Sequence, residues 1–222
     1  MTLRKTWLVV LLAGAVAVYV LMYIGYAAHW GWLDAVDSST LDVLYRYGTA
    51  HPGWVSFWNV FCTVLGPTAF RLLALVVIVV ALVRRQLRIA LFLAISIELS
   101  GFVAEAAKAL ADRPRPATAL VSAPSTSFPS GHAVGVMVGV LALWTVALPM
   151  VRRSLRGWVI ALGAVVVLAI GFGRVALNVH YPSDVLGGWA LGYLYYAACL
   201  LVLARTPVRA TAETPEAPDS AR

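Results

Sequence analysis

Three short polar segments in an otherwise apolar chain carry the residues that could do chemistry. Lys108-Ala-Leu-Ala-Asp-Arg-Pro-Arg-Pro116 supplies Lys108 and Arg115, and Ser127-Phe-Pro-Ser-Gly-His132 supplies Ser130, Gly131 and His132. Arg174-Val-Ala-Leu-Asn-Val-His-Tyr-Pro-Ser-Asp184 supplies Arg174, His180 and Asp184. Together they offer cations, two imidazoles and one carboxylate, an inventory that suits phosphoryl transfer. A tetrahedral phosphoryl group presents oxygens to guanidinium forks and to a lysine point charge. In the transition state charge spreads over those oxygens, so positioning and electrostatic stabilisation do most of the catalysis. Fixed cations can replace magnesium in that role. No carboxylate-rich set accompanies these residues, and His132 and His180 lack further obvious ligands, so neither a metal nor a cofactor is expected.

Proline decides how these groups are carried. Pro114 and Pro116 cannot continue a helix, because proline removes the amide donor and restricts the residue before it. Lys108 therefore belongs to a helix and Arg115 to the loop that follows. Pro129 stops helix ahead of Ser130, a plausible cap, and Gly131 allows close approach of the backbone to a ligand. The first amides of a helix starting there are unpaired and attract anions.

The elements that position the segments follow from composition. The 222 residues are 61% hydrophobic and 12% charged, against about a quarter charged in a soluble domain, so this is a membrane protein. Spans of about 20 apolar residues are expected near 7–29, 68–83, 87–107, 132–150, 157–176 and 184–204. Residues 52–66, with Trp54, Phe57, Trp58 and Phe61, suit the headgroup level. Lys and Arg are retained on the cytoplasmic side. Arg4 and Lys5, Arg84, Arg85 and Arg88, Arg152, Arg153 and Arg156, and Arg205 and Arg209 mark every second connection. Both termini are then cytoplasmic, and loops 30–67, 108–131 and 177–183 lie outside. The expected fold class is all-α: an integral membrane bundle of six transmembrane helices with an outer-face active site. Residues 1–204 form one domain, and 205–222, with Pro207, Pro215 and Pro218, form a mobile cytoplasmic tail. The net charge of +7 sits in inner loops and polar segments, without the exposed basic face that nucleic-acid binding needs. Cys62 and Cys199 lie in apolar segments without metal-ligand spacing and read as packing residues.

The three segments, in this order, resemble the type 2 phosphatidic acid phosphatases, membrane relatives of vanadium haloperoxidases. Lys108 with Arg115-Pro116 fits the family's first motif, and Pro129-Ser130-Gly131-His132 fits its second. Arg174, His180 and Asp184 fit its third, with Gly173 where serine is usual. The glycine removes a hydroxyl near the phosphate, so weaker binding is the most it should cause. The resemblance implies that His180 attacks phosphorus to form a phosphohistidine and that Asp184 orients its other ring nitrogen. His132 then protonates the leaving oxygen and later activates water. Lys108, Arg115, Ser130, Gly131 and Arg174 hold the phosphate. The partners implied are membrane lipid and a lipid phosphate: phosphatidic acid, phosphatidylglycerol phosphate or a polyprenyl diphosphate. Vanadate is the expected inhibitor, and a bacterial plasma membrane is the expected location.

Plainer roles compete with these. Interfacial cations often only anchor a span, and Arg113, Arg46 and Arg71 keep that reading, as His29 and His51 keep that of surface groups. Glu105, three residues before Lys108, stands at the spacing where helical side chains meet and is expected to orient it. Glu98 lies in a span, where a carboxylate needs a partner. The competing function is a carrier that holds lipid phosphate without cleaving it. Two histidines with an orienting aspartate favour hydrolysis. Peroxidase chemistry on vanadate is disfavoured by the short, membrane-bound chain.

Overall fold

In lipid, every backbone polar group must be satisfied within its own segment. The computed structural model, which describes residues 2–205, is accordingly helical, with no strand among those residues. The helices are α1 (Thr2–Ala27), α2 (Gly31–Ala50), α3 (Pro52–Val64), α4 (Pro67–Val83) and α5 (Leu87–Leu93). α5 runs through a wider turn, Ala94–Glu98, into α6 (Ser100–Ala111); then come α7 (Gly131–Ala147), α8 (Arg156–Ala176) and α9 (Pro182–Arg205). Among the described residues five stretches are long and apolar enough to cross a bilayer: Thr6–Ala27, Pro52–Val83, Leu87–Ala111, Arg153–Ala176 and Pro182–Val202. The sixth, Gly131–Ala147, has 17 residues. The expected tail lies, beyond Arg205, outside the described residues.

The shortest span is the central one. α7 buries Val134, Val136, Val138 and Val140 and packs most extensively on α9, with α8, α4 and α6 around it. Helices in lipid gain little from hydrophobic association, so they rely on close approach at small residues. Gly135 and Gly139 of α7 meet Pro67 and Phe70 of α4, where an added Cβ would sit 2.8 Å and 2.7 Å from their side chains. Gly188 and Gly192 of α9 do the same toward α7, with Ala133 Cβ at 2.7 Å and the Val134 carbonyl at 2.9 Å. Glycine thus admits α4 side chains onto α7 and lets α9 approach the α7 backbone itself.

Residues 30–67 are not the outer loop that hydropathy suggests. They form α2 and α3. α2 buries Leu33, Asp37, Leu41 and Gly48, one stripe at helical spacing. Asp37 interrupts that stripe, and Asp34, Asp42 and Arg46 with Ser38, Ser39 and Thr40 add polar groups over the rest of the helix, so no long apolar run marks it. α3, expected at the headgroup level, packs on α8 through Trp54, Trp58 and Phe172, with ring centroids 5.1 to 6.1 Å apart. Gly66 and Pro67 break it from α4. An added Cβ on Gly66 would collide with the Cys62 carbonyl and lie 3.3 Å from the His132 ring. The break thus makes room for the histidine.

The starts of α4 and α7 meet at one end of the bundle, beside the ends of α6 and α8 and the start of α9. The arginine-rich turns 84–88 and 152–156 close the opposite end, where Arg84 and Arg88 share a groove with Pro149 and Met150.

Gly192→Val should overpack the α7–α9 contact and lower stability by about 1–3 kcal/mol. Gly14→Ala, with nothing within 4 Å of the new carbon, should leave it unchanged. Thermal unfolding in one detergent checks both, and equal melting temperatures would remove the close-approach account.

Candidate active site

A cavity of about 590 Å³ opens at the end of the bundle remote from the arginine turns and is lined by Lys108, Arg115, Gly131, His132, Arg174 and His180. Each arrives on a different piece of backbone. Lys108 stands in the last turn of α6, which ends at Asp112 in a left-handed conformation, φ 45°. Its Nζ donates to Ser125 Oγ at 2.8 Å and pairs with Glu105 Oε1 at 3.2 Å, so the i, i+3 contact expected from the sequence is present. Arg115 lies on the following loop and is held by three carbonyls: Ser125 at 2.9 Å, Pro124 at 2.7 Å and Val179 at 2.7 Å. Arg174, in the last turn of α8, is buried with its Nε lacking a hydrogen-bond partner. A buried donor left open toward a cavity is costly unless a ligand takes it.

α7 adds backbone donors. The N–H groups of its first turn have no intrahelical acceptor, and an added Cβ on Gly131 would lie 3.7 Å from Lys108 Nζ. The lysine therefore sits over the helix start, where dipole and point charge attract the same anion. Ser130 is not part of the lining. Its N–H donates to the Asp184 carbonyl at 2.9 Å, and its buried Oγ has no partner and makes no cap. It joins the starts of α7 and α9.

His180 is fully enclosed, at 1% exposure. Its Nε2 faces the cavity, 3.2 Å from Arg115 Nη1, and its Nδ1 backs onto Asp184 Oδ2 at 3.4 Å. That distance permits ion pairing but exceeds the usual 2.7–3.2 Å of a hydrogen bond. Burial is the main influence on the imidazole. Asp184 favours its cation, Arg174 and Arg115 oppose it, and the pKa falls to about 4. His180 is thus neutral at pH 7, with a lone pair available at Nε2. Burial also lowers the Arg115 pKa, partly offset by Asp184 and Glu105.

Behind the histidine lies a second tier of charge. Asp184, with no exposure, accepts from Ser127 Oγ at 2.5 Å and the Tyr181 N–H at 2.9 Å on Oδ2, and from Arg113 Nη1 at 2.7 Å on Oδ1. Arg113 also donates to Ser183 Oγ at 2.7 Å and to Asp37 Oδ2 at 2.9 Å, and lies between the Tyr181 and Tyr26 rings at 4.0 and 4.6 Å. Asp37 accepts from the Ser183 N–H at 3.0 Å. Burial alone would lower the Arg113 pKa, but Asp184 and Asp37 outweigh it and the pKa is raised. Arg113 is therefore no surface anchor; it ties α1, α2 and α9 together.

Sequence reasoning thus missed Arg113, Asp37, Ser127 and Ser183. The available signal was Asp37 on the buried stripe of α2. Gly173 is explained differently too. An added Cβ there would lie 2.6 Å from Cys62 Sγ and 2.7 Å from the Trp58 ring, so the glycine admits α3. Its position faces that helix and not the cavity lining.

The model of the PAP2 superfamily matches residues 89–206. Phosphatidylglycerophosphatase B of Bacillus subtilis (strain 168) is 40% identical over 89 residues, covering 38% of this chain and 43% of that protein. An undecaprenyl-diphosphatase of Sulfolobus acidocaldarius is 35% identical over 66 residues, 30% of this chain and 28% of that protein. The chain thus spans less than half the length of these curated relatives. A crystal structure of a transmembrane PAP2-type phosphatidylglycerolphosphate phosphatase from Bacillus subtilis has the same fold: TM-score 0.68 at 22% identity, over 88% of this chain and 98% of that one.

Histidine ¹⁵N spectra, with His180 identified by the signal lost in His180→Gln, should show a neutral ring down to pH 5 and protonation near pH 4. Because the unfolded chain takes that proton near 6.5, the native state should lose stability as pH falls from about 6.5 to 4. Titration near 6.5 in the folded protein would contradict the burial effect.

Proposed function

The chain belongs to the PAP2 superfamily, and from that premise we propose that it is a membrane lipid phosphatase working through a phosphohistidine. The observation that carries the reading is His180, with Nε2 open to a cavity ringed by cations and Nδ1 backed by Asp184. The names of the relatives, one acting on a glycerophospholipid phosphate and one on a prenyl diphosphate, support the substrate class.

In the first step the terminal phosphoryl group displaces Arg115 from Nε2 and takes the hydrogen bonds of Arg115, Arg174, Lys108 and the α7 amides. The Nε2 lone pair forms the N–P bond while the bond from phosphorus to the leaving oxygen breaks. His132, on the cavity wall beside Gly66, gives that oxygen a proton. The positive charge arising on His180 is stabilised by Asp184. In the second step His132 takes a proton from water, the water oxygen bonds to phosphorus, and the N–P bond breaks. The products are inorganic phosphate and an alcohol or a lipid monophosphate.

Fixed cations do the work often given to metal ions, so the proposed reaction needs none. The arginine turns at the remote end support a cytoplasmic setting for that end under the positive-inside rule. The site then serves the outer leaflet, in the proposed setting of a bacterial plasma membrane, and residues 1–204 act as one domain.

Purified protein given phosphatidic acid, phosphatidylglycerol phosphate and a polyprenyl diphosphate should release phosphate with a chelator present. Vanadate should inhibit it. His180→Ala should fall to background, and Arg174→Ala should lose about a hundredfold or more in turnover, as when an oxyanion donor is removed. Hydrolysis persisting in His180→Ala would end the nucleophile assignment; tight binding with no turnover in the native protein would favour the carrier.

A further inference from the structure

The cavity does not stop at the cluster around His180. From Lys108 its wall continues along α6 and across to α3 and α4, through Glu105, Gly101, Glu98, Arg71, Thr68 and Asn59. Arg71 is the unexplained member. It stands one turn into α4, and its guanidinium rests against Gly101, whose missing side chain leaves the space: an added Cβ there would collide with Nη2. Arg71 Nε is buried without a hydrogen-bond partner, and among the described residues no carboxylate lies within the 4.0 Å of an ion pair. Glu98 shares the cavity, yet its Oε1 is likewise buried without a partner.

A charge inside a bilayer is expensive, and it persists where it faces a partner or a polar cavity. Arg71 faces the second. Cations on this cavity outnumber carboxylates, four (Arg71, Lys108, Arg115, Arg174) to two (Glu98, Glu105), and Glu105 is already taken by Lys108. The net excess of two positive charges favours anions and equals what one phosphoryl dianion, at about −2, carries. The position of Arg71 and its unpartnered Nε say where an anionic group beyond the cleaved one would sit. Gly101 precedes Lys108 by seven residues of helix, about 10 Å of rise, and Lys108 Nζ reaches back toward Glu105. The two cationic heads therefore stand roughly 5–10 Å apart, with Arg71 on the side of the bilayer centre. Beside it Phe102, 74% exposed, lines the mouth toward lipid.

Descending the cavity, the order is phosphoryl-transfer group, lone cation, lipid surface. We infer that Arg71 binds a second, non-scissile phosphate, one that lies between the cleaved phosphoryl group and the tails. The preferred substrates are then lipids with two phosphates, joined directly as a diphosphate or through a glycerol bridge, over lipids with a single phosphate. This rests on the lipid phosphatase reading and narrows it.

The test compares kcat/KM for phosphatidylglycerol phosphate, phosphatidic acid, a polyprenyl diphosphate and the matching polyprenyl monophosphate in one detergent. In Arg71→Gln the ratio of two-phosphate to one-phosphate lipid should fall by about tenfold or more, as expected when one charge-assisted contact is lost. Gly101→Ala, which pushes the arginine head aside without altering its charge, should move the ratio in the same direction. If only the diphosphate ratio falls, the direct linkage is the one served; if only the glycerol-bridged ratio falls, the longer one is. A ratio that holds within about twofold in Arg71→Gln, or rates that fall in parallel for all four lipids, would overturn the subsite and leave Arg71 a structural charge. Binding of a non-hydrolysable prenyl methylenediphosphonate, measured against the prenyl monophosphonate, gives a second readout. Should the native protein hydrolyse none of the lipids, the phosphatase reading fails on its own. Arg71 is then judged by whether its replacement weakens the diphosphonate selectively.

Discussion

Like charges gathered in a low-dielectric slab repel one another, and the arrangement of this protein depends on how that repulsion is contained. Lys108, Arg115 and Arg174 face one cavity and are met there by few carboxylates. Two further carboxylates are placed behind them. Asp37 and Asp184 are buried in a separate tier and satisfied by Arg113, Ser127, Ser183 and backbone amides. The rear tier is rigid, because breaking any buried pair strands a charge. In front, Lys108 and Arg115 are held in place by Ser125, Glu105 and loop carbonyls while still lining the cavity. His180 lies at the boundary, with one ring nitrogen turned to each.

Rigidity in the helices serves the same end. α7 carries His132 and the open amides, and it is pressed between α4 and α9 at glycine contacts that permit no side chain. A group that must meet a ligand loses much of its advantage when misplaced by even an ångström, and these glycine contacts leave little room for such drift. α2 adds the remaining constraint, since Asp37 reaches from it to Arg113 and Ser183 and so fixes the start of α9. Asn178, in a left-handed turn at φ 52°, donates to the Leu41 carbonyl and to Thr118 Oγ1, and joins α2 to the end of α8. Each polar segment is thereby tied to at least one helix that contributes nothing to the cavity itself.

What could be read from the chain alone was whatever leaves a local trace. Spans of lipid-facing residues are apolar throughout, so composition exposes them, and the three polar segments stand out against that background. The prolines after Lys108 and before Ser130 announce where helix ends and begins. α2 escaped because a half-buried helix carrying Asp37 on its inner stripe is neither apolar throughout nor polar throughout.

Only the tertiary structure decided the partnerships. Arg113 and Arg115 are two residues apart in one Arg-Pro repeat, yet one is locked to Asp37 and Asp184 and the other reaches His180. Arg71 reads as an anchor in the sequence and lines the cavity in space. Gly173, which looks like a lost hydroxyl, is the room that α3 needs. The physical reason is common to all of these. Hydropathy and helix-breaking act over a few neighbouring residues and are written into them, whereas pairing between charges depends on which remote segments the glycine-mediated packing brings within a few ångströms.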